Sequence, residues 1–231
     1  MSGVARVARV GTASRRRRLR RRHPPPYVIG LTGSIGMGKT TVAQMLRWLG
    51  VPVHDADAAV HRLMGRGGAA VAAVGAAFPG VVCAGAVDRA RLGARVFEDR
   101  AALRRLEAIL HPLVRAAARD FLRRAARRRH PVAVLDIPLL FETGGEALCD
   151  TVWVVSAPAF VQRARVLMRA GMTPARFAAI AAKQIPDVQK RRRADVVIRT
   201  GLSKRHTWRQ VHSAVNRARR CARRLRNTAL R

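Results

Sequence analysis

The stretch Val28 to Thr41, VIGLTGSIGMGKTT, restricts the fold more than any other part of the chain. Before the glycines, Tyr27-Val28-Ile29-Gly30-Leu31 reads as a buried strand; after them, VAQMLRWLG reads as an amphipathic helix ending at Gly50. Gly33, Gly38, Lys39 and Thr40 fall at the spacing G-x-x-x-x-G-K-[ST] of a phosphate-binding loop. Glycines let the backbone curl until successive N–H groups converge on phosphate oxygens, with the positive end of a helix behind them. The turn Gly33-Ser34-Ile35-Gly36-Met37-Gly38-Lys39-Thr40-Thr41 is therefore expected to hold a nucleoside triphosphate. Lys39 would reach its β- and γ-phosphates, and the Thr40 hydroxyl would ligate Mg²⁺. A glycine-rich turn that binds nothing is the plain alternative, and the complete motif in its strand–loop–helix setting argues against it.

The rest of the chain alternates in the same way. Val51 to His54 reads as a second strand that delivers Asp55 and Asp57 at its end, and Val132 to Leu135 as a third that delivers Asp136. Ile137 to Phe141 carries that apolar run on past Pro138. Thr151–Val155 and Ala194–Ile198 complete the strand candidates, the first a continuous apolar run suited to a strand covered on both faces. Residues 58–129 are largely helical, broken at Gly65–Gly68 and around Pro79–Gly85, with Pro112 marking a boundary or kink. Helices are expected from Pro158 to Ala170, from Thr173-Pro174 to Gln184, and from Ser203 to Leu225. Strands alternating with helices indicate an α/β fold with a parallel, doubly wound sheet.

In such a sheet the ligand lies beyond the carboxyl ends of the strands, where the loop, Asp55, Asp57 and Asp136 all arrive. A kinase needs a carboxylate near the γ-phosphate to take or orient the proton of the attacking hydroxyl, and Asp57 suits that work. Asp55 would hold water on the magnesium or brace its neighbour; either acid reads equally as a helix cap. Asp136 reads as a second magnesium-binding carboxylate or as a buried turn residue before Pro138. Arg165 and Arg169, at i and i+4, share a helix face. They read as a solvated basic surface or as part of a segment that closes over the triphosphate.

Charge bears on partners rather than on fold. The 231 residues carry a net charge of +33, almost all of the cations being arginine. Such a chain attracts polyanions without specificity, and a genome rich in G and C codons gives the same composition. A nucleic-acid-binding protein with a vestigial loop is the reading from another class; few aromatic residues for base stacking and an intact Lys39-Thr40 pair speak against it. Residues 1–26 form a basic extension with Arg15–Arg18 and Arg20–Arg22, resembling an organellar transit peptide or simply a disordered tail. Three widely spaced cysteines point to a reducing compartment, and no apolar run approaches the roughly 18 residues that span a bilayer. A cytoplasmic protein, monomeric or a small homo-oligomer, is expected.

Taken together, the chain resembles the dephospho-CoA kinase family over roughly residues 27–215. The resemblance rests on LTGSIGMGKTT at 31–41, VHDAD at 53–57, LEAILHPLV at 106–114, DIPLLFE at 136–142, Arg165 and Arg169, and RRRADVVIRTG at 191–201. It implies a phosphate-loop NTPase-type five-stranded parallel sheet flanked by helices, with a helical substrate-binding insertion at 58–129 and a helical lid at 158–193. The nucleotide-binding core would then comprise 27–57, 130–157 and 194–231. The implied reaction moves the γ-phosphate of ATP, with Mg²⁺, to the ribose 3′-hydroxyl of dephospho-CoA. By this likeness Asp57 is the catalytic carboxylate, and Lys39, Arg165 and Arg169 stabilise the transferring phosphate. Asp55, His111, Pro138 and Leu139 fall near the acceptor, with a buried helix-end histidine equally open for His111. Arg199-Thr200-Gly201 stands where the family has an acid or amide before the glycine, so contacts to the adenine are expected to differ. A kinase of the same architecture with another acceptor (a nucleoside, shikimate or gluconate) is the nearest rival, and the DAD, LHP and PLLFE series stands against it.

Overall fold

The computed structural model describes residues 24–97 and 99–228; the basic blocks Arg15–Arg18 and Arg20–Arg22 lie outside the described residues. Five strands form one parallel sheet: β1 (Tyr27–Thr32), β2 (Val53–Asp55), β5 (Val132–Asp136), β6 (Thr151–Ser156) and β7 (Val196–Arg199), in the order β2-β5-β1-β6-β7. The five residues of β5 and the six of β6 are all buried, Trp153 included, because helices cover both faces. On one face α1 (Lys39–Trp48) and α9 (Lys204–Thr228) bring Val42, Leu46, Val211 and Val215 into the same core as Ile29 and Leu31. On the other, Ala118, Phe121 and Leu122 of α5 (Arg100–Arg127) pack on Val28 and Leu135. The register sets Asp55 beside Asp136 and Asp136 beside Leu31, so both acids emerge on the same edge as the loop that follows β1.

The helical region has a second, smaller core. Met64, Val74, Phe78, Leu92 and Leu106 meet where α2 (Ala56–Met64), α3 (Val71–Ala77), α4 (Arg89–Val96) and the first half of α5 converge. Asp88 and Asp99 start α4 and α5 by accepting from the N–H groups two and three residues on. The long α5, 28 residues, thus serves two cores: its first half closes the helical region and its second half lies on the sheet. Three further helices, α6 (Ala159–Leu167), α7 (Pro174–Ala182) and α8 (Asp187–Arg192), form the segment expected as a lid.

Several expectations need correction. Of the boundary or kink expected at Pro112, the boundary does not form: α5 runs on through it as one helix. The lost N–H would have met the carbonyl of Ala108; both residues are exposed, so water is at hand to satisfy that group. Ile137–Phe141 does not prolong β5 but turns away from the sheet, held by Ile137 N–H on Leu31 O and by the Thr32 hydroxyl on Pro138 O. A small hairpin, β3 (Val82–Cys83) and β4 (Ala86–Val87), occupies the break around Pro79–Gly85, and α8 adds to the helical segment at 158–193 a third helix beyond the two placed there.

Candidate active site

The loop after β1 takes its shape from three glycines. A Cβ at Gly33 would lie 2.7 Å from the Val155 carbonyl oxygen, so only glycine lets the chain leave β1 so close to β6. Gly36 and Gly38 sit at φ +79° and +88°, the left-handed region that other residues avoid. Gly38 caps α1 without a side chain, leaving the helix's leading amides open to an anion. Gly36, Gly38, Thr40 and Thr41 line a cleft of 300 Å³ together with Arg165, Arg169 and Thr200. The loop and the two arginines, linked in the sequence only by resemblance, therefore share one wall.

Lys39 does not project free into this space. Its Nζ lies 2.6 Å from Asp136 Oδ1. Burial raises the Asp136 carboxyl above the usual aspartate range, and the Lys39 ammonium opposes that rise without cancelling it. Arg165 is likewise engaged: Nη1 donates to the Thr200 hydroxyl at 3.0 Å and Nη2 to the Thr200 carbonyl at 2.6 Å. The Thr200 hydroxyl in turn donates to Met37 O at 2.6 Å, which ties the α6 arginine to the loop through the residue after β7. Arg169 is exposed and has no side-chain partner among the described residues.

The acids divide. Asp55 is the N-cap of α2, its Oδ1 accepting from Ala58 N–H at 2.9 Å. Asp57, one residue into α2, is exposed and lines a separate, mainly apolar cleft of 510 Å³. His111, Pro138 and Leu139 line that same cleft, as do Glu107, Arg115 and Gln184. Its apolar walls come from Val60 and from Leu103, Leu106, Leu110 and Val114 of α5. His111 is half-buried in mid-helix and not at a helix end. Asp55 faces neither cleft.

Three partners of this site gave no signal in the sequence. Gln184 Oε1 accepts from Ile35 N–H at 3.0 Å, and Gln162 Nε2 donates to Ile35 O at 2.8 Å, so two glutamines, one on α6 and one after α7, hold one residue of the loop. Lys190, fully buried, places Nζ 2.8 Å from Glu142 Oε1, an ion pair rather than a directed hydrogen bond, at the end of the PLLFE stretch. A polar residue 149 positions from its partner leaves no periodic trace. Arg199 lines a third cleft, of 510 Å³, with Met37, Asp187, Arg191 and Leu202; Leu202 is exposed and borders the loop cleft as well.

A glycine loop between the central strand of a parallel sheet and its helix, with a carboxylate-bearing cleft at the same edge, defines the phosphate-loop class of nucleotide-binding α/β proteins. The chain belongs to the dephospho-CoA kinase family: the sequence model described as Dephospho-CoA kinase matches residues 27–204. A Dephospho-CoA kinase of Rhodospirillum rubrum is 59% identical over 200 residues, covering 86% of this chain and 95% of its own. That of Paramagnetospirillum magneticum is 71% identical over 164 residues, covering 71% of this chain and 77% of its own. Among solved structures, a protein from Thermus thermophilus superposes with a TM-score of 0.74 at 35% identity, covering 83% of this chain and 97% of its own.

Proposed function

We propose that this chain transfers the γ-phosphate of ATP to the ribose 3′-hydroxyl of dephospho-CoA, giving coenzyme A and ADP, with Asp57 as the group that faces the hydroxyl. The observation that carries the assignment of roles is the placement of Asp57 in an apolar cleft at the strand edge that also bears the phosphate loop. A long, largely apolar acceptor tail suits walls made by Val60, Leu103, Leu106 and Leu110, and the cationic Arg115 at that cleft suits its pyrophosphate.

The acceptor oxygen attacks the γ-phosphorus in line, the bond to the β–γ bridging oxygen breaks, and ADP leaves with that electron pair. Asp57 takes the hydroxyl proton. The loop amides and the start of α1 hold the β- and γ-phosphates, and Lys39 exchanges part of its contact with Asp136 for phosphate oxygens. Arg169, without a side-chain partner among the described residues, and Arg165 neutralise charge on the transferring group. Leu202, exposed beside Thr200, offers an apolar surface for the adenine.

The groups present also fit Mg²⁺. The Thr40 hydroxyl is exposed on the loop cleft, and Asp136 keeps Oδ2 without a donor among the described residues. One or two protein oxygens plus phosphates and water are the usual shell of this ion. Held by Thr40 and Asp136, magnesium would supply positive charge that offsets the negative charge of the triphosphate.

Residues 58–129 would then receive the coenzyme and 158–193 act as the lid. Three free thiols, Cys83, Cys149 and Cys221, support a reducing, cytoplasmic setting; among the described residues no helix is long and apolar enough to cross a membrane. The chain would act as a monomer or small homo-oligomer, its +33 charge drawing polyanions only nonspecifically. ADP release measured with dephospho-CoA beside gluconate, shikimate and a nucleoside tests the assignment. Turnover of another acceptor but not dephospho-CoA would overturn it.

A further inference from the structure

Three consecutive residues after α7 reach three different parts of the molecule. Lys183 Nζ stands 5.1 Å from the centre of the Phe97 ring in the helical region. Gln184 Oε1 accepts from Ile35 N–H in the phosphate loop at 3.0 Å. Ile185 N–H donates to Glu142 Oε1 at 2.9 Å, the same oxygen that Lys190 approaches. The outer contacts anchor the segment on either side, and the middle residue bridges the two clefts.

Gln184 is the residue that belongs to both. It lines the cleft that holds Asp57 and His111, yet its oxygen is bonded to the loop. The chemistry fixes which end is which. A backbone N–H can only donate, so the atom facing Ile35 is the carbonyl oxygen, and Nε2 is left over. That amide nitrogen has no partner among the described residues. Ile35 is held through its own carbonyl by Gln162, so the loop residue that Gln184 grips has little freedom to choose another orientation.

Resting on dephospho-CoA as the acceptor, we infer that Gln184 is a positioning residue that couples the two substrates. Its Nε2 donates to an oxygen of the bound acceptor while its Oε1 sets the Ile35 amide, so that filling the acceptor cleft fixes the loop next to Gly36 in its phosphate-binding form. A side chain held at both ends loses less freedom when the second ligand arrives, which makes the binding of each substrate favour the other.

The test is a thermodynamic cycle by calorimetry on the full chain. ADP affinity is measured with and without saturating dephospho-CoA, in the native protein and in Gln184→Met and Gln184→Glu. Methionine keeps the volume and loses both bonds; glutamate keeps an oxygen for Ile35 N–H and loses the donor. Thermal melts confirm that each variant is folded. The native protein is expected to bind ADP about 5-fold more tightly or better with acceptor present, the lower end of typical coupling. Both variants are expected to bring that ratio to about 1, and glutamate does so with the loop bond still available. Because the ratio is taken within each variant, repulsion between the introduced carboxylate and the ADP phosphates cancels from it. A native ratio near 1, or a variant that keeps the native ratio while its affinities fall equally, overturns the inference. Native protein that neither binds nor phosphorylates dephospho-CoA overturns instead the acceptor assignment on which it rests.

Discussion

The cleft at the glycine loop and the cleft at Asp57 are built by opposite means. Around the loop, the ligand-facing groups are main-chain amides, exposed by glycines at fixed φ and backed by one helix that follows the central strand directly. Around Asp57, the groups lining the cleft are side chains gathered from α2, the middle of α5, the turn after β5 and the stretch after α7. Their apolar support differs too: the sheet core includes fully buried Trp153, Ile29 and Leu31, whereas the helical region closes over a smaller set around Phe78 and Leu106. A site made of backbone demands a few residue types at fixed spacing. A site made of side chains demands only that separated segments meet.

Four experiments press on that contrast, and the largest effects fall on the reacting groups. Lys39→Ala and Asp57→Asn are each expected to lower kcat by about three orders of magnitude. Lys39→Ala should also weaken ADP binding, while Asp57→Asn should leave it unchanged, as steady-state ADP release and calorimetry would reveal. Near-native kcat in Asp57→Asn would remove that carboxylate from its role. Next comes a buried anchor: Lys190→Ala strands Glu142 without its buried counter-charge and should cost about 3 kcal/mol or more in urea unfolding. Replacing both residues with apolar ones of similar volume should recover much of that loss.

A smaller effect is the pH dependence of the same anchor. Burial pushes the Glu142 carboxyl up, but Lys190 and the Ile185 N–H together hold it below the usual glutamate range. The folded state therefore binds this proton less tightly than the unfolded chain. Its stabilisation is complete above the ordinary glutamate value and disappears as pH falls through the lower folded one. Glu142→Gln should flatten that part of a stability-versus-pH curve; an unchanged slope would assign it to other groups. Least of all should follow from deleting residues 1–24, which is expected to leave kinase turnover within about twofold of the full chain, since the family match begins only at residue 27.

The same contrast explains what reading the chain could and could not supply. The loop, the strand before it and the helix after it followed from glycine spacing, and the alternation of β5, β6 and α6 followed from apolar runs and Pro158. Asp57 and Asp55 lay two positions apart with nothing local to separate them; only the cap bond to Ala58 shows that Asp55 is turned into its own helix. Pro112 left boundary and kink open, and the boundary fails because exposure, invisible in the residue itself, decides whether a helix can run through it. Gln184 and Thr200 had no signal at all, since what matters is the distant peptide each one touches.

The continuity of α5 has a mechanical result. A single helix, about 42 Å along its axis at the usual rise per residue, has one end built into the helical core and the other laid on the sheet. His111 and its neighbours thereby stand on the same helix that packs against the sheet carrying the glycine turn. Freedom to close on a triphosphate is left to the facing side, where the Arg169 side chain is exposed and has no partner among the described residues.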